Sequence, residues 1–224
     1  MNKNIFVACD VPGQKEVLEL LSKIHKEISG IKIGLQYITK HSPEDIKKLS
    51  KFNKPIFYDG KFFDIKNTLI ESVKSLKSLK ITYATVHLLN GLDALKAANE
   101  AANKIDVKLL GVSVLTSFDN KELGQLGFKD NVEEQVLRLI KIAFEANLYG
   151  VICSPLEIKM IKKVAPNLKC FTPGIRQDEN KNDQKRTMNA KQALEAGSDC
   201  LIIGRPITEG DPKKNIQKIL SSLN

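Results

Sequence analysis

Eight short apolar, β-branched runs, each followed by a segment of helical periodicity, constrain this chain more than any other feature. The runs span Ile5 to Cys9, Ile31 to Leu35, Pro55 to Asp59, Tyr83 to His87, Lys108 to Leu115, Gly150 to Cys153, Lys169 to Thr172 and Cys200 to Gly204. Between them, "QKEVLELLSKIHKEI" places Val17, Leu18, Leu20, Leu21, Ile24 and Ile28 on one face. "NVEEQVLRLIKIAFEA" does the same with Val132, Val136, Leu139, Ile140 and Ala143. Further helices are expected to start near Pro43, Asn67, Gly91, Leu156, Asn189 and Asp211. Strict β-then-α alternation implies parallel strands, and eight such units predict an α/β fold of the closed (β/α)8 TIM-barrel type. No long linker, composition shift or further repeat interrupts the pattern, so residues 1–224 read as one domain.

Composition narrows the setting. Lys plus Arg exceeds Asp plus Glu by 35 − 26 = 9, but the lysines, among them Lys23, Lys26, Lys47, Lys48, Lys74, Lys77 and Lys80, are spread over helix faces. No basic block interleaves with aromatics, which argues against nucleic acid as a partner. No run approaches the ~20 apolar residues needed to cross a bilayer, and Cys9, Cys153, Cys170 and Cys200 are far apart in apolar stretches with no CxxC pairing. Buried, reduced thiols in a soluble cytoplasmic protein are expected. Arginine is rare, and Arg176, Arg186 and Arg205 fall late in the chain.

Barrel active sites sit at the C-terminal ends of the strands. The residues just after each run are polar nearly every time: Asp10, Lys32 with Gln36, Asp59 with Lys61, His87, Thr116 with Ser117, Ser154, Arg176, and Gly204 with Arg205. A phosphate site is expected at the loops after strands seven and eight, where Arg176, Gln184, Gly204 and Arg205 could converge. Glycine admits close backbone approach to an anion, and a guanidinium binds two oxygens in a fork. The segment "RQDENKNDQKR" has almost no apolar residue and reads as a surface loop or a lid over the phosphate. In "FYDGKFFDIKNT", period-two alternation is expected to point Asp59 and Lys61 into the mouth of the barrel with Asp64 just beyond, and Lys32 arriving from the neighbouring strand. No His or Cys accompanies these acids at metal-ligand spacing.

The order of motifs resembles the orotidine 5'-phosphate decarboxylase family over essentially the whole chain. It runs "ACDVP", "IKIGLQ", "DGKFFDIKNT", "TVHLLNG", "GVSVLTS", "VICSPLE", "TPGIR" with "DQKR", and "IIGRPIT". Gly60, Phe63 and Lys66 stand where the family pattern usually has Leu, His and Pro. The resemblance implies decarboxylation of orotidine 5'-monophosphate to UMP in pyrimidine biosynthesis, with no metal and no organic cofactor. It implies that Asp10 and Lys32 hold the ribose hydroxyls, that Thr116 and Ser117 read the pyrimidine, and that Arg176, Gln184, Gly204 and Arg205 grip the phosphate. Lys61 would be the proton donor to C6, flanked by Lys32 and Asp59. Asp64, Ile65 and Thr68 would reach into the site of a second subunit, making a homodimer with composite sites.

Two other readings stay open at the level of sequence. One is a Mg2+-dependent sugar-phosphate decarboxylase or aldolase of the same barrel group, and the other a noncatalytic phosphate- or nucleic-acid-binding protein. His87 at a strand end reads as a packed, hydrogen-bonded residue, because the implied mechanism needs no second base.

Overall fold

Along Ile5–Ala8, alternate side chains enter two different cores. Ile5 and Val7 pack outward against helices, while Phe6 and Ala8 fill the inside of a barrel with Phe57, Leu110, Phe171, Cys200 and Ile202. A strand buried on both faces needs apolar residues at every position, which is why these runs are continuous rather than alternating. The computed structural model describes residues 4–176 and 187–223.

In chain order the elements are β1 (Ile5–Ala8), α1 (Gln14–Ile24), β2 (Gly30–Gly34), α2 (Leu35–Lys40), α3 (Pro43–Lys48), β3 (Ile56–Phe62), α4 (Lys66–Ser75), β4 (Tyr83–His87), α5 (Leu92–Asn103) and β5 (Lys108–Val112). There follow α6 (Asn120–Gln125), α7 (Val132–Glu145), β6 (Gly150–Ile152), α8 (Ile158–Val164), β7 (Lys169–Thr172), α9 (Ala190–Glu195), β8 (Cys200–Ile203), α10 (Arg205–Thr208) and α11 (Pro212–Ser222). All neighbouring strands pair in parallel, and β1 pairs with β8 to close the barrel. All four cysteines are free and buried. No helix among the described residues is long and apolar enough to cross a membrane.

The helices begin where side chains can satisfy their first N–H groups. Ser42, Asp119, Asn131 and Asn189 each form a capping box with the residue three positions on, and Asp211 caps α11 ahead of Pro212. Three segments, α2, α6 and α10, add to the eight expected helices. They are four to six residues long, too short to display a 3.6-residue repeat. The first helix ends at Ile24 rather than Ile28, although Ile28 stays buried. The fifth strand ends at Val112, three residues short of the expected Leu115, where the chain turns toward Thr116.

The third strand departs most from expectation. It runs on through Gly60 and Lys61 to Phe62, and its pairing with β4 steps from Tyr58↔Ala84 to Phe62↔Val86. Four residues of advance on β3 thus oppose two on β4, a bulge. Gly60 sits in it beneath the stacked rings of Tyr58 and Phe62, whose centroids are 5.6 Å apart. A Cβ there would stand 2.6 Å from the Tyr58 ring, so glycine is what lets the two rings close over the bend.

Candidate active site

The C-terminal mouth of the barrel holds a chain of alternating charges. Lys32 Nζ on β2 lies 3.3 Å from Asp10 Oδ2 and 3.2 Å from Asp59 Oδ2, and Lys61 Nζ lies 2.8 Å from Asp59 Oδ1. Asp59 is buried, 8% exposed. Burial alone would push its carboxyl up, yet Lys32 and then Lys61 hold it below its ordinary value. Burial likewise works to lower Lys32, but Asp59 and Asp10 raise it above its usual range. The array is tolerable in a barrel core because each buried charge faces an opposite one.

Two local features set this geometry. Gly34, at the end of β2, leaves room for the Lys32–Asp10 pair, since a Cβ there would fall 2.9 Å from both Asp10 Oδ1 and Lys32 Nζ. Lys61 adopts a left-handed backbone, φ 48°, which costs a non-glycine residue about 1 kcal/mol or more. The expected reason for the pairing of Asp59 and Lys61 is therefore corrected. They meet because the bulge turns Lys61 back toward Asp59, not because an unbroken strand alternates.

Two cavities share this mouth. One of 190 Å3 is lined by Lys32, Asp59, Lys61 and Thr116 together with apolar Val112, Val114, Leu115 and Ile202. The other, 380 Å3, is lined by Asp10, Lys32, Gln36, Arg176, Gly204, Arg205 and Thr208. They share Lys32, Pro173 and Ile202. Together they offer a small slot, apolar on one side and charged on the other, adjoining a polar chamber with two arginines. A larger cavity of 460 Å3 lies beside the loop after β5. Its polar groups are engaged locally: Asp119 and Asn131 cap helices and Glu157 accepts the Ser154 N–H.

The structure thus brings together Asp10, Lys32, Asp59, Lys61, Thr116, Arg176, Gly204 and Arg205. Ser117 is exposed in the turn beside Thr116. Asp64, Ile65 and Thr68 are exposed on the outer rim. There Asp64 N–H donates to Asn90 Oδ1 at 3.1 Å, and Asp64 Oδ1 accepts the Ile65 N–H at 2.7 Å. Gln184 lies outside the described residues. His87 is half-buried against the exposed Phe63 ring, at 5.5 Å. Burial, and then the nearby Lys61 charge, depress its imidazole. Burial pushes the Cys9 thiol up to about 12, which removes it as a nucleophile.

Two contributions had no prior sequence assignment. Thr208 lines the polar chamber from the short α10. Thr85, on β4, touches both Asp59 and Lys61; a hydroxyl inside an otherwise apolar strand was the available signal.

Comparison with known proteins finds relatives over nearly the full length of the chain. A protein named orotidine 5'-phosphate decarboxylase from Dichelobacter nodosus is 40% identical over 224 residues, covering 98% of each chain. One of the same name from Wolbachia pipientis subsp. Culex pipiens is 36% identical over 221 residues, again covering 98% of each. The crystal structure of orotidine 5'-phosphate decarboxylase from Lactobacillus acidophilus superposes with a TM-score of 0.86 at 33% identity, covering all of both chains. With residues 3–219 matching its family-wide pattern, the chain belongs to the Orotidine 5'-phosphate decarboxylase / HUMPS family.

Proposed function

We propose that this chain decarboxylates orotidine 5'-monophosphate to UMP, with Lys61 as the proton donor to C6. The observation that carries this reading is the Lys32–Asp59–Lys61 array on one side of a small, partly apolar slot that adjoins a polar chamber with two arginines. We assign the pyrimidine ring to the slot, to be read by Thr116 in its lining and by Ser117 in the adjoining turn. The ribose hydroxyls go to Asp10 and Lys32, and the phosphate to Arg176, Gly204 and Arg205, with Gln184 assigned the same role. The apolar slot favours a flat ring over the sugar phosphates handled by the other branch of the family.

In this scheme the C6–carboxylate bond breaks, CO2 leaves, and the electron pair stays on C6. No adjacent π system takes up that charge, so the Lys61 ammonium stabilises it electrostatically and then transfers a proton to C6. The resulting neutral amine is reprotonated from solvent. Asp59 stands where it would repel the substrate carboxylate more than neutral CO2. The distant phosphate contributes binding energy that orients the ring.

The same reading makes the active unit a homodimer. Phe63, Ile65 and Leu89 expose 42% to 74% of their surface near Asp64 on the rim of the mouth. Such an apolar patch is suited to a second copy that would receive Asp64, Ile65 and Thr68 in its own site. Free, buried thiols support residence in a reducing compartment, the cytoplasm.

CO2 release from orotidine 5'-monophosphate, measured with and without EDTA, tests the proposal. Release that survives chelation is expected. No release, or release abolished by EDTA and restored by Mg2+, would overturn it.

A further inference from the structure

We infer that Thr85 is a positioning residue for the reaction: its buried hydroxyl ties the main chain of Lys61 to the carboxylate that holds the Lys61 ammonium, and so sets where the transferable proton stands. This rests on the reading of Lys61 as proton donor.

The need for such a tie comes from the bulge. In an unbroken parallel ladder, strand N–H groups donate to carbonyls of the neighbouring strand. Where β3 steps out of register with β4, the Lys61 N–H donates instead to Thr85 Oγ1, at 2.8 Å. A hydroxyl has one proton and two lone pairs. Once it accepts from Lys61, its proton goes to Asp59 Oδ1, 3.1 Å away. That same oxygen accepts from Lys61 Nζ at 2.8 Å. The hydrogen bonds therefore close a ring that runs from the Lys61 main chain through Thr85 and Asp59 to the Lys61 side chain.

Thr85 is fully buried, 0% exposed, and its side chain does not line either cavity of the mouth. It acts through Asp59 and Lys61 rather than on substrate. Serine would supply the same hydroxyl, whereas valine matches threonine in shape and supplies neither donor nor acceptor. Without the hydroxyl, the Lys61 N–H loses its partner, and Asp59 Oδ1 loses the donor that holds it against β4. The left-handed Lys61 backbone then has less to keep it in place.

The test compares Thr85→Val, Thr85→Ser and Lys61→Ala with the parent in steady-state decarboxylation, together with UMP binding and thermal unfolding. For Thr85→Val, kcat is expected to fall about 10- to 100-fold, the scale of a misplacement of about 1 Å, with KM and UMP affinity within about 3-fold. Thr85→Ser should recover kcat to within about 3-fold of the parent. A Thr85→Val enzyme with parental kcat per folded molecule, or a loss that serine does not recover, overturns the inference and leaves Thr85 a structural residue only. If Thr85→Val does not fold, Thr85→Cys, of similar size and weak hydrogen bonding, carries the same comparison. If Lys61→Ala itself keeps turnover, the assignment of Lys61 fails first. A collapse of Lys61→Ala beside a normal Thr85→Val isolates the failure to Thr85.

Discussion

Each end of the barrel carries an aspartate gripped by two lysines, and the two clusters behave differently. At the N-terminal end, Asp199 Oδ2 lies 2.6 Å from Lys162 Nζ and Asp199 Oδ1 lies 3.1 Å from Lys169 Nζ. Asp199 also accepts the Cys170 N–H at 2.9 Å, while Lys162 donates in addition to the Leu168 carbonyl at 2.8 Å. Two backbone groups thus join the cluster, and Asp199 and Lys169 line a cavity of 350 Å3. It sits beside an aromatic plug in which Phe6, Tyr83, Tyr149 and Phe171 meet edge-on or tilted, with centroids 5.2 to 6.5 Å apart. At the C-terminal end, Asp59 is held by side chains from β2, β3 and β4, Lys61 is in a left-handed conformation, and both face a cavity. A charge cluster completed by backbone staples the barrel. The one completed by side chains alone is the one that carries a lysine in the left-handed conformation.

Removing the lysine at the open end should have the largest effect. Lys61→Ala is expected to lower kcat by about 10,000-fold, the combined scale of a lost proton donor and a lost electrostatic stabiliser. Its melting temperature and UMP binding should stay near those of the parent, and turnover within tenfold of the parent would refute the contrast. The opposite pattern is expected at the N-terminal end. Asp199→Ala should cost about 2 kcal/mol of stability through lost charge-assisted hydrogen bonds, or roughly 4–8 °C in Tm for a chain of this size. Its kcat per folded molecule should be unchanged, and a changed kcat would show that the two ends communicate.

The smallest effect concerns pH. Asp59 and Asp199 both titrate below their ordinary value. At Asp199 burial again pushes upward, and the Lys162 hydrogen bond with its other partners outweighs it. Their contribution is therefore present above the ordinary carboxylate value of 3.8 and is lost only as pH falls through the lower folded values. Lys32, raised in the fold, contributes below its ordinary 10.5 and loses that contribution as pH rises through its folded value. Among the shifted groups, His87 is the one whose ordinary value lies nearest neutrality. Its folded value is depressed from 6.5 by burial and then by Lys61, so stability is full above 6.5 and falls as pH drops from there through the folded value. His87→Gln should flatten that slope in denaturation midpoints measured between pH 7 and 5. An unchanged slope would show that burial and the Lys61 charge do not depress the ring.

Most of the mouth could be read from strand ends alone. Asp10, Thr116, Arg176 and Arg205 follow apolar runs, Asp59 ends one and Lys32 lies within one, and a parallel barrel carries the strand ends to one face. The hydroxyl of Thr85 stands out in β4, but its role was not legible, because its partners are 24 and 26 residues away. The short α2 and α10, which open directly after β2 and β8, were hidden by their length.

The sequence by itself determined the eight parallel strands and the face on which chemistry gathers. Burial on both sides of a strand demands continuous apolar runs, and helical periodicity between them forces every strand to point the same way. Only the tertiary structure decided how Lys61 meets Asp59. That contact depends on a register shift between β3 and β4, on a glycine that lets Tyr58 stack on Phe62, and on a hydroxyl from the next strand replacing a lost ladder bond. Each of these is a pairing between residues distant in the chain, and a one-dimensional period does not encode it.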